Sequence, residues 1–325
     1  MDTAIGFVLS ERIAAREVIG YGRAAEAAGF TRLLLADRFQ PTPGLEGYAP
    51  HAWVALAALG QRTRQILLGT SLTCPVYRYA PTVIAQAFAT LGSLYPGRIF
   101  LGLDVGDPVR EAPSGDDWVD LRARAERLVE AVAIIRRLWH GGQVTHYGHH
   151  FHLRDAQIIE LPARPVPLYI VAHDVPGMRL AGRYGDGLIT SARAACDSDL
   201  RAAFALGARE MGLDPQGLPI LAELTVTISG GSLLPALSDR LHPVVAGSDP
   251  RLHLEAIYDL VDVGVREIYI HAVQPDQRRW RPHPGPVPPG SAGSVRRVGP
   301  HCRAGRPSQP AGDGRGGESP HRLAR

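Results

Sequence analysis

Lysine is absent from the 325 residues, so every basic side chain other than histidine is an arginine. That excludes Schiff-base catalysis, a P-loop lysine and any lysine grip on a phosphate. Cysteine is scarce: Cys74, Cys196 and Cys302 are odd in number and far apart, which is neither a disulfide framework nor a zinc set. Long apolar runs are missing too, because Gly, Arg or Asp interrupts each one well before the roughly 18 residues a membrane helix needs. The first run, Ala4 to Leu9, is too short for a secretory core and has no basic leader, so a cytoplasmic location is expected. The formal charge of +3 is unevenly spread, with eight arginines against Asp313 and Glu318 in residues 281–325. The chain before them is mildly acidic and offers no basic face for nucleic acid.

What is present is alternation on two scales. Eight short apolar runs, Ala4 to Leu9, Arg32 to Asp37, Gln65 to Leu72, Ile99 to Val105, Pro167 to Ala172, Gly187 to Ser191, Ile220 to Ile228 and Glu267 to Val273, read as strands. Amphipathic stretches lie between them at Ala14 to Ala28, Ala52 to Gly60, Thr82 to Leu94, Trp118 to Trp139, Met178 to Tyr184, Asp199 to Met211 and Leu252 to Val263. Strands alternating with helices predict an α/β fold, a (β/α)8 TIM barrel, with the active site at the C-terminal strand ends. A doubly wound sheet is the alternative, but neither the GLDVGD nor the AGRYGDG run has the G-x-G-x-x-G spacing. Past Val273, Pro, Gly, Arg and Ser dominate and apolar periodicity ends. The expectation is a barrel over 1–279 lacking its final helix, and a disordered Pro/Gly/Arg-rich tail over 280–325, with a shifted reading frame as the hypothesis for its origin.

The segment GTSLTCPVYRYAPTVIAQAFATLGSLYPGRIFLGLDVGD, Gly69 to Asp107, resembles strands three and four of the luciferase-like superfamily. The branch is that of the F420-dependent glucose-6-phosphate and hydroxymycolate dehydrogenases. LLLADRFQP (Leu33 to Pro41), LYIVA and AGRYGDGLITS (Leu168 to Ser191) and HAVQPDQRR (His271 to Arg279) extend the similarity. The resemblance implies an oxidoreductase transferring a hydride between coenzyme F420 and a small or lipid-like alcohol or carbonyl, and a homodimer. FMN-dependent monooxygenase chemistry on the same barrel, with FMN as cofactor, stays open, as does a degenerate, non-catalytic cofactor-binding relative.

The same resemblance assigns the residues. It places the cofactor against a strand-three bulge carrying a non-prolyl cis peptide, at Ser71, Leu72 and Cys74, and along Val105, Gly106 and Arg110. Asp37 would bond the ring, and Asp107 stands where the family has a ring-protonating glutamate. Arg38 replaces the family's base histidine, and arginine stays protonated and is a poor base. His271 at the end of strand eight is then the candidate substitute. The family's glycine-rich phosphate loop reads His173-Asp174 here, leaving the amides near Pro176, Gly177 and Met178 as donors. Thr190 and Arg193 take the substrate-binding positions after strand six. Only residues 229–250 join strand seven to the last helix, without the family's sugar-phosphate insertion, so glucose 6-phosphate is not the expected substrate. No metal is expected; His150 and His152 of HYGHHFH, placed on one strand face, are the nearest approach to a ligand pair.

Overall fold

The computed structural model describes residues 3–41, 47–76, 78–115, 118–227, 244–246 and 249–272. Residues 229–243 and 247–248 of the expected shortened segment after strand seven, the QRR run and the tail lie outside these residues. Eight parallel strands close on themselves in the order β1 (Ala4–Leu9), β2 (Arg32–Ala36), β3 (Leu67–Ser71), β4 (Ile99–Leu103), β7 (Leu168–Val171), β8 (Leu188–Ser191), β9 (Ile220–Thr227) and β11 (Glu267–Ala272). Closure is made at β8–β9, Leu188 to Ile220 through Ser191 to Glu223, and at β11–β1, Ala4 to Glu267 through Phe7 to Ile270. The barrel expectation holds. A short strand β10 (Val244–Ala246) pairs with the mouth end of β9 beyond the part held by β8.

Alternation along each strand decides which side chains enter the barrel. Val8, Leu34, Phe100, Tyr169, Val171, Ile189, Leu221 and Tyr269 form one buried cluster drawn from seven strands, with Leu67 and Leu72 of the β3 region packed on it. Their sequence neighbours Phe7, Leu33, Leu35, Leu101, Ile170 and Leu188 belong to the outer core under the helices. A third buried group, centred on Ala222, Leu224, Leu260 and Ile268, seals the outside of β9 and β11.

The outer helices are α1 (Ala15–Ala27), α2 (Ala52–Arg62), α3 (Pro81–Leu94), α5 (Leu121–Trp139), α6 (Val175–Tyr184), α8 (Ser198–Glu210) and α9 (Pro250–Asp262). α5 starts three residues after Trp118 because Asp120 caps it, accepting the Ala123 N–H at 2.8 Å. Two short helices were not foreseen, α4 (Pro108–Glu111) and α7 (Ala192–Cys196), each too brief to show a helical period. Outside the barrel, β5 (Val144–Tyr147) and β6 (His152–Ala156) form an antiparallel hairpin. No helix among the described residues is long and apolar enough to cross a membrane.

Candidate active site at the barrel mouth

The strand periodicity that fills the lumen continues to the C-terminal ends. Two residues beyond Phe100 and Gly102 comes Asp104. Beyond Tyr169 and Val171 comes His173, beyond Leu221 comes Glu223, beyond Tyr269 comes His271, and beyond Leu34 and Ala36 comes Arg38. These five side chains ring the mouth. His271 Nδ1 lies 2.7 Å from Glu223 Oε1, a bond between neighbouring strands, with His271 paired opposite Thr225. Burial opposes ionisation of Glu223, but the His271 hydrogen bond and charge, with Arg38 and His173, outweigh it and hold the carboxyl below the usual range. Arg38 pairs with Glu11 across 3.1 Å. At Asp104 the balance is reversed: burial raises its pKa against the pull of His173, the Val105 and Gly106 amides and Arg38.

Asp37 faces the other way. It is 0% exposed, and its carboxylate accepts Thr73 Oγ1–H at 2.8 Å, Arg78 Nη2–H at 2.8 Å and Tyr79 O–H at 3.3 Å. It braces the ends of β2 and β3 from behind the wall. Arg78 also meets Glu111 Oε2 at 3.1 Å, and burial of Glu111 pushes its carboxyl up to about 7. After Ser71 the chain turns at Leu72, whose φ of +65° is a left-handed conformation uncommon for a branched side chain. Leu72 thereby becomes the top of the lumen cluster. Cys74 is buried, and burial raises its thiol pKa far above the ordinary value.

Asp107 caps α4, accepting the Val109 N–H at 2.9 Å, and pairs with Arg110 at 2.7 Å. Val105 turns outward to the helix-facing core, and Gly106 adopts φ +84° beside Cys74 and Trp118. Thr190 is buried, its hydroxyl donated to the Ala172 carbonyl at 2.6 Å, while Arg193 is exposed on α7. Pro176 and Gly177 open α6, and the Asp174 carboxylate accepts the Gly177 N–H at 2.8 Å. This helix start is therefore already capped by a carboxylate of the chain itself.

The histidine-rich segment requires a correction. His150 lies in the turn of the hairpin and His152 opens β6, so the two do not share a strand face. The segment docks on α5 instead: His146 Nε2 is 2.9 Å from Glu130, and the His150 and Phe151 amides donate to Glu130 at 3.0 and 2.9 Å. Among the described residues no group of three or more His, Cys, Asp or Glu is placed to hold a metal ion.

Reading the sequence as blocks of apolar residues passed over Glu11, Arg78, Asp104, Glu111 and Glu223, and gave His173 no chemical role. Counting by twos from the lumen residues would have found Asp104, His173 and Glu223.

Comparison with known proteins agrees with this architecture. The F420-dependent hydroxymycolic acid dehydrogenase of Mycobacterium tuberculosis is 36% identical over 301 residues, covering 84% of this chain and 83% of that protein. The F420-dependent glucose-6-phosphate dehydrogenase of Beutenbergia cavernae is 35% identical over 304 residues, covering 82% and 90%. A solved F420-dependent secondary alcohol dehydrogenase, in complex with an F420–acetone adduct, superposes with a TM-score of 0.79 at 27% identity, over 86% of this chain and 96% of that one. The family model described as luciferase-like monooxygenase matches residues 3–232, and with that match over most of its length the chain belongs to the luciferase-like monooxygenase family.

Proposed function

We propose that the chain is an F420-dependent oxidoreductase that moves a hydride between the deazaflavin and an alcohol, aldehyde or ketone other than glucose 6-phosphate. The observation that carries this reading is the Glu223–His271 pair, 2.7 Å apart and facing the mouth. An ionised carboxylate accepting Nδ1–H fixes the tautomer, so the lone pair sits on Nε2. Oxidising an alcohol requires a base for the hydroxyl proton as the hydride leaves carbon, and Nε2 of an oriented imidazole supplies it. Arg38, a guanidinium paired to Glu11, orients a carbonyl or alkoxide oxygen rather than taking a proton.

The ring end of the mouth fits a flat tricyclic cofactor. Leu72, raised on its left-handed backbone above the lumen cluster, offers an apolar platform, with Ser71 preceding it in the chain and Gly106 set beside Cys74. Asp37 acts on that platform from behind, through Thr73. When bound, F420 supplies the hydride-accepting and hydride-donating centre. The phosphate end fits less well, because Asp174 occupies the Gly177 amide at the start of α6; this favours a second reading, a relative that has lost cofactor binding. Support for excluding a sugar phosphate comes from the absence of lysine and from Thr190 being committed to Ala172, which leaves Arg193 as the one cation of the α7 start facing that rim.

Titrating the protein separately with F420, FMN and FAD, followed by tryptophan fluorescence, tests the cofactor: F420 alone should bind, and binding of none would establish the second reading. With F420 and a panel of secondary alcohols, His271→Ala should lower kcat by about 100-fold or more while leaving the F420 Kd within about threefold. Unchanged kcat would remove the histidine from the reaction, and turnover of glucose 6-phosphate would overturn the substrate exclusion.

A further inference from the structure

The arginines of α5 divide by what they meet. Of the five, Arg122 pairs with Glu126, Arg136 pairs with Asp186, and Arg137 donates to the Thr145 carbonyl of the hairpin. Arg124 and Arg127, three residues apart on one face of the helix, reach instead for backbone carbonyls of the two loops that carry the ring end of the mouth. Arg124 is 8% exposed, and its Nη1 donates to the Val105 carbonyl at 3.3 Å and more closely to that of Gly106. Arg127 Nη1 donates to the Val76 carbonyl at 3.0 Å. Leu128, Val132 and Ile135 fix α5 in the outer core, so both guanidiniums are mounted on a rigid element.

The two loops so held are also stitched to each other. Thr73 bridges to Leu103: its N–H donates to the Gly102 carbonyl at 3.1 Å, and its carbonyl accepts the Asp104 N–H at 3.0 Å. Gly106, at φ +84°, leaves no room for a side chain, since a Cβ there would lie 2.5 Å from Cys74 Sγ and 3.1 Å from the Trp118 ring. The Arg124 guanidinium lies 5.3 Å from the centre of that same ring. Arg127 is backed by the hairpin, 5.9 Å from the centre of the Phe151 ring, and Phe151 is itself tied to Glu130 through its N–H. In a trans peptide the N–H points opposite to the C=O, so carbonyls drawn back to α5 turn the Gly106 and Asp107 amides away from it.

We infer that Arg124, supported by Arg127, is a positioning residue for the deazaflavin ring, acting through the backbone of the loops after β4 and β3. Arg124 fixes the Val105 and Gly106 peptides, and Arg127 fixes the end of the turn that begins at Leu72. The inference rests on the oxidoreductase reading, in which Ser71, Leu72, Cys74, Val105 and Gly106 form the ring site. Groups around a reacting centre must be held to within about 0.5 Å, and a displacement of about 1 Å caused by a change remote from the chemistry can cost about 100-fold. Residues that line the ring cannot meet that tolerance on a loose backbone. The two guanidiniums are what ties this backbone to the helix layer.

The first test needs no cofactor. In hydrogen-exchange mass spectrometry of the full-length protein, Arg124→Met should exchange about tenfold or more faster over 103–107, with β1 and β2 unchanged. Arg136→Met, on the same helix, should leave 103–107 at the wild-type rate. Unchanged exchange over 103–107 in Arg124→Met, or equal acceleration throughout the barrel, overturns the inference. The second test is equilibrium dialysis with F420. Arg124→Met should raise the Kd about 30-fold or more and Arg127→Met about tenfold, while Arg136→Met stays within about threefold. Arg124→Lys, which keeps a charged donor for one carbonyl, should lie between Arg124→Met and the wild type. An unchanged Kd in Arg124→Met refutes the assignment, and so does an equal rise in Arg136→Met, which would mark general destabilisation. If Arg124→Met does not fold, Arg124→Lys and Arg127→Met decide, and wild-type exchange and Kd in both overturn the inference. A wild type that binds no F420 refutes the underlying reading.

Discussion

Arg78 is shared by two carboxylates and can neutralise one. Asp37 holds its Nη2 at 2.8 Å, and Glu111, 4% exposed, lies 3.1 Å from its Nε with the Phe39 N–H donating to the other oxygen. Burial, helped by the Asp37 charge, lifts the Glu111 pKa from 4.5 to about 7, so the cluster is electrically balanced when Glu111 carries a proton. A carboxyl whose pKa is raised on folding binds more protons in the folded than in the unfolded chain between those two values. Its contribution is therefore fully present below about pH 4.5 and is lost as pH rises through about 7, amounting to about 3 kcal/mol at the extremes. The expected outcome is a melting temperature that increases as pH falls from about 8 to about 6, with the slope reduced in Glu111→Gln. Calorimetric melts of both proteins across that range check it, and parallel pH dependences would show that Glu111 is not the titrating group. The same cluster alters the meaning of an Asp37 substitution. With Arg78 and Thr73 each losing a buried carboxylate partner and keeping Glu111 and Thr70, loss of cofactor affinity would come together with loss of stability.

At the level of elements, Glu130 of α5 holds the β5–β6 hairpin by one imidazole and two backbone amides. Glu130→Ala leaves those donors to find water and should cost about 2 kcal/mol. The loss should be local: amide exchange over 144–156 should accelerate while the barrel strands keep their protection, and uniform acceleration would mean the hairpin is not a separate unit. The strands themselves were legible because each apolar run is short and bounded by Gly, Pro or charge. Their ends moved by one or two residues, as at β2 and β4, where Asp37 and Val105 continue the apolar or polar pattern after the ladder has stopped. Much of the site was hidden for a related reason. A run read as a block does not say which of Arg38 and Asp37, or of Asp104 and Val105, faces inward; the pleat decides that, and the lumen residues reveal its phase. The Glu223–His271 bond joins residues 48 apart in sequence, and it depends on the register between β9 and β11, to which no local pattern corresponds.

Over the whole molecule, a closed barrel needs its outer face covered as fully as its lumen. α9 buries Leu260 against β9 and β11, yet Leu254, Tyr258 and Val261, spaced by four and three on one flank, are 44%, 55% and 37% exposed. Ile5 of β1 and Ile270 and Ala272 of β11, along the seam between the last strand and the first, are only half-buried. A flank and a seam of this kind are where a helix following strand eight would lie, between α9 and α1. The sequence after Arg279 has Pro282, Pro284, Pro286 and Pro288 where such a helix would begin, and no apolar period beyond them. We propose that residues from about 280 onward are read in a shifted frame. One of the other two forward frames past the Arg279 codon should then encode an amphipathic, leucine-rich helix, which inspection of the gene decides. Expressed with that frame restored, the chain should gain about 3 kcal/mol or more, since full burial of one large apolar side chain contributes about 1.5 to 3 kcal/mol. At about 2 to 4 °C per kcal/mol for a domain of this size, its melting temperature should increase by about 6 °C or more. If neither frame encodes such a helix, or if the restored chain melts where the present one does, the apolar flank of α9 has some other purpose and residues 280–325 belong to the protein as they stand.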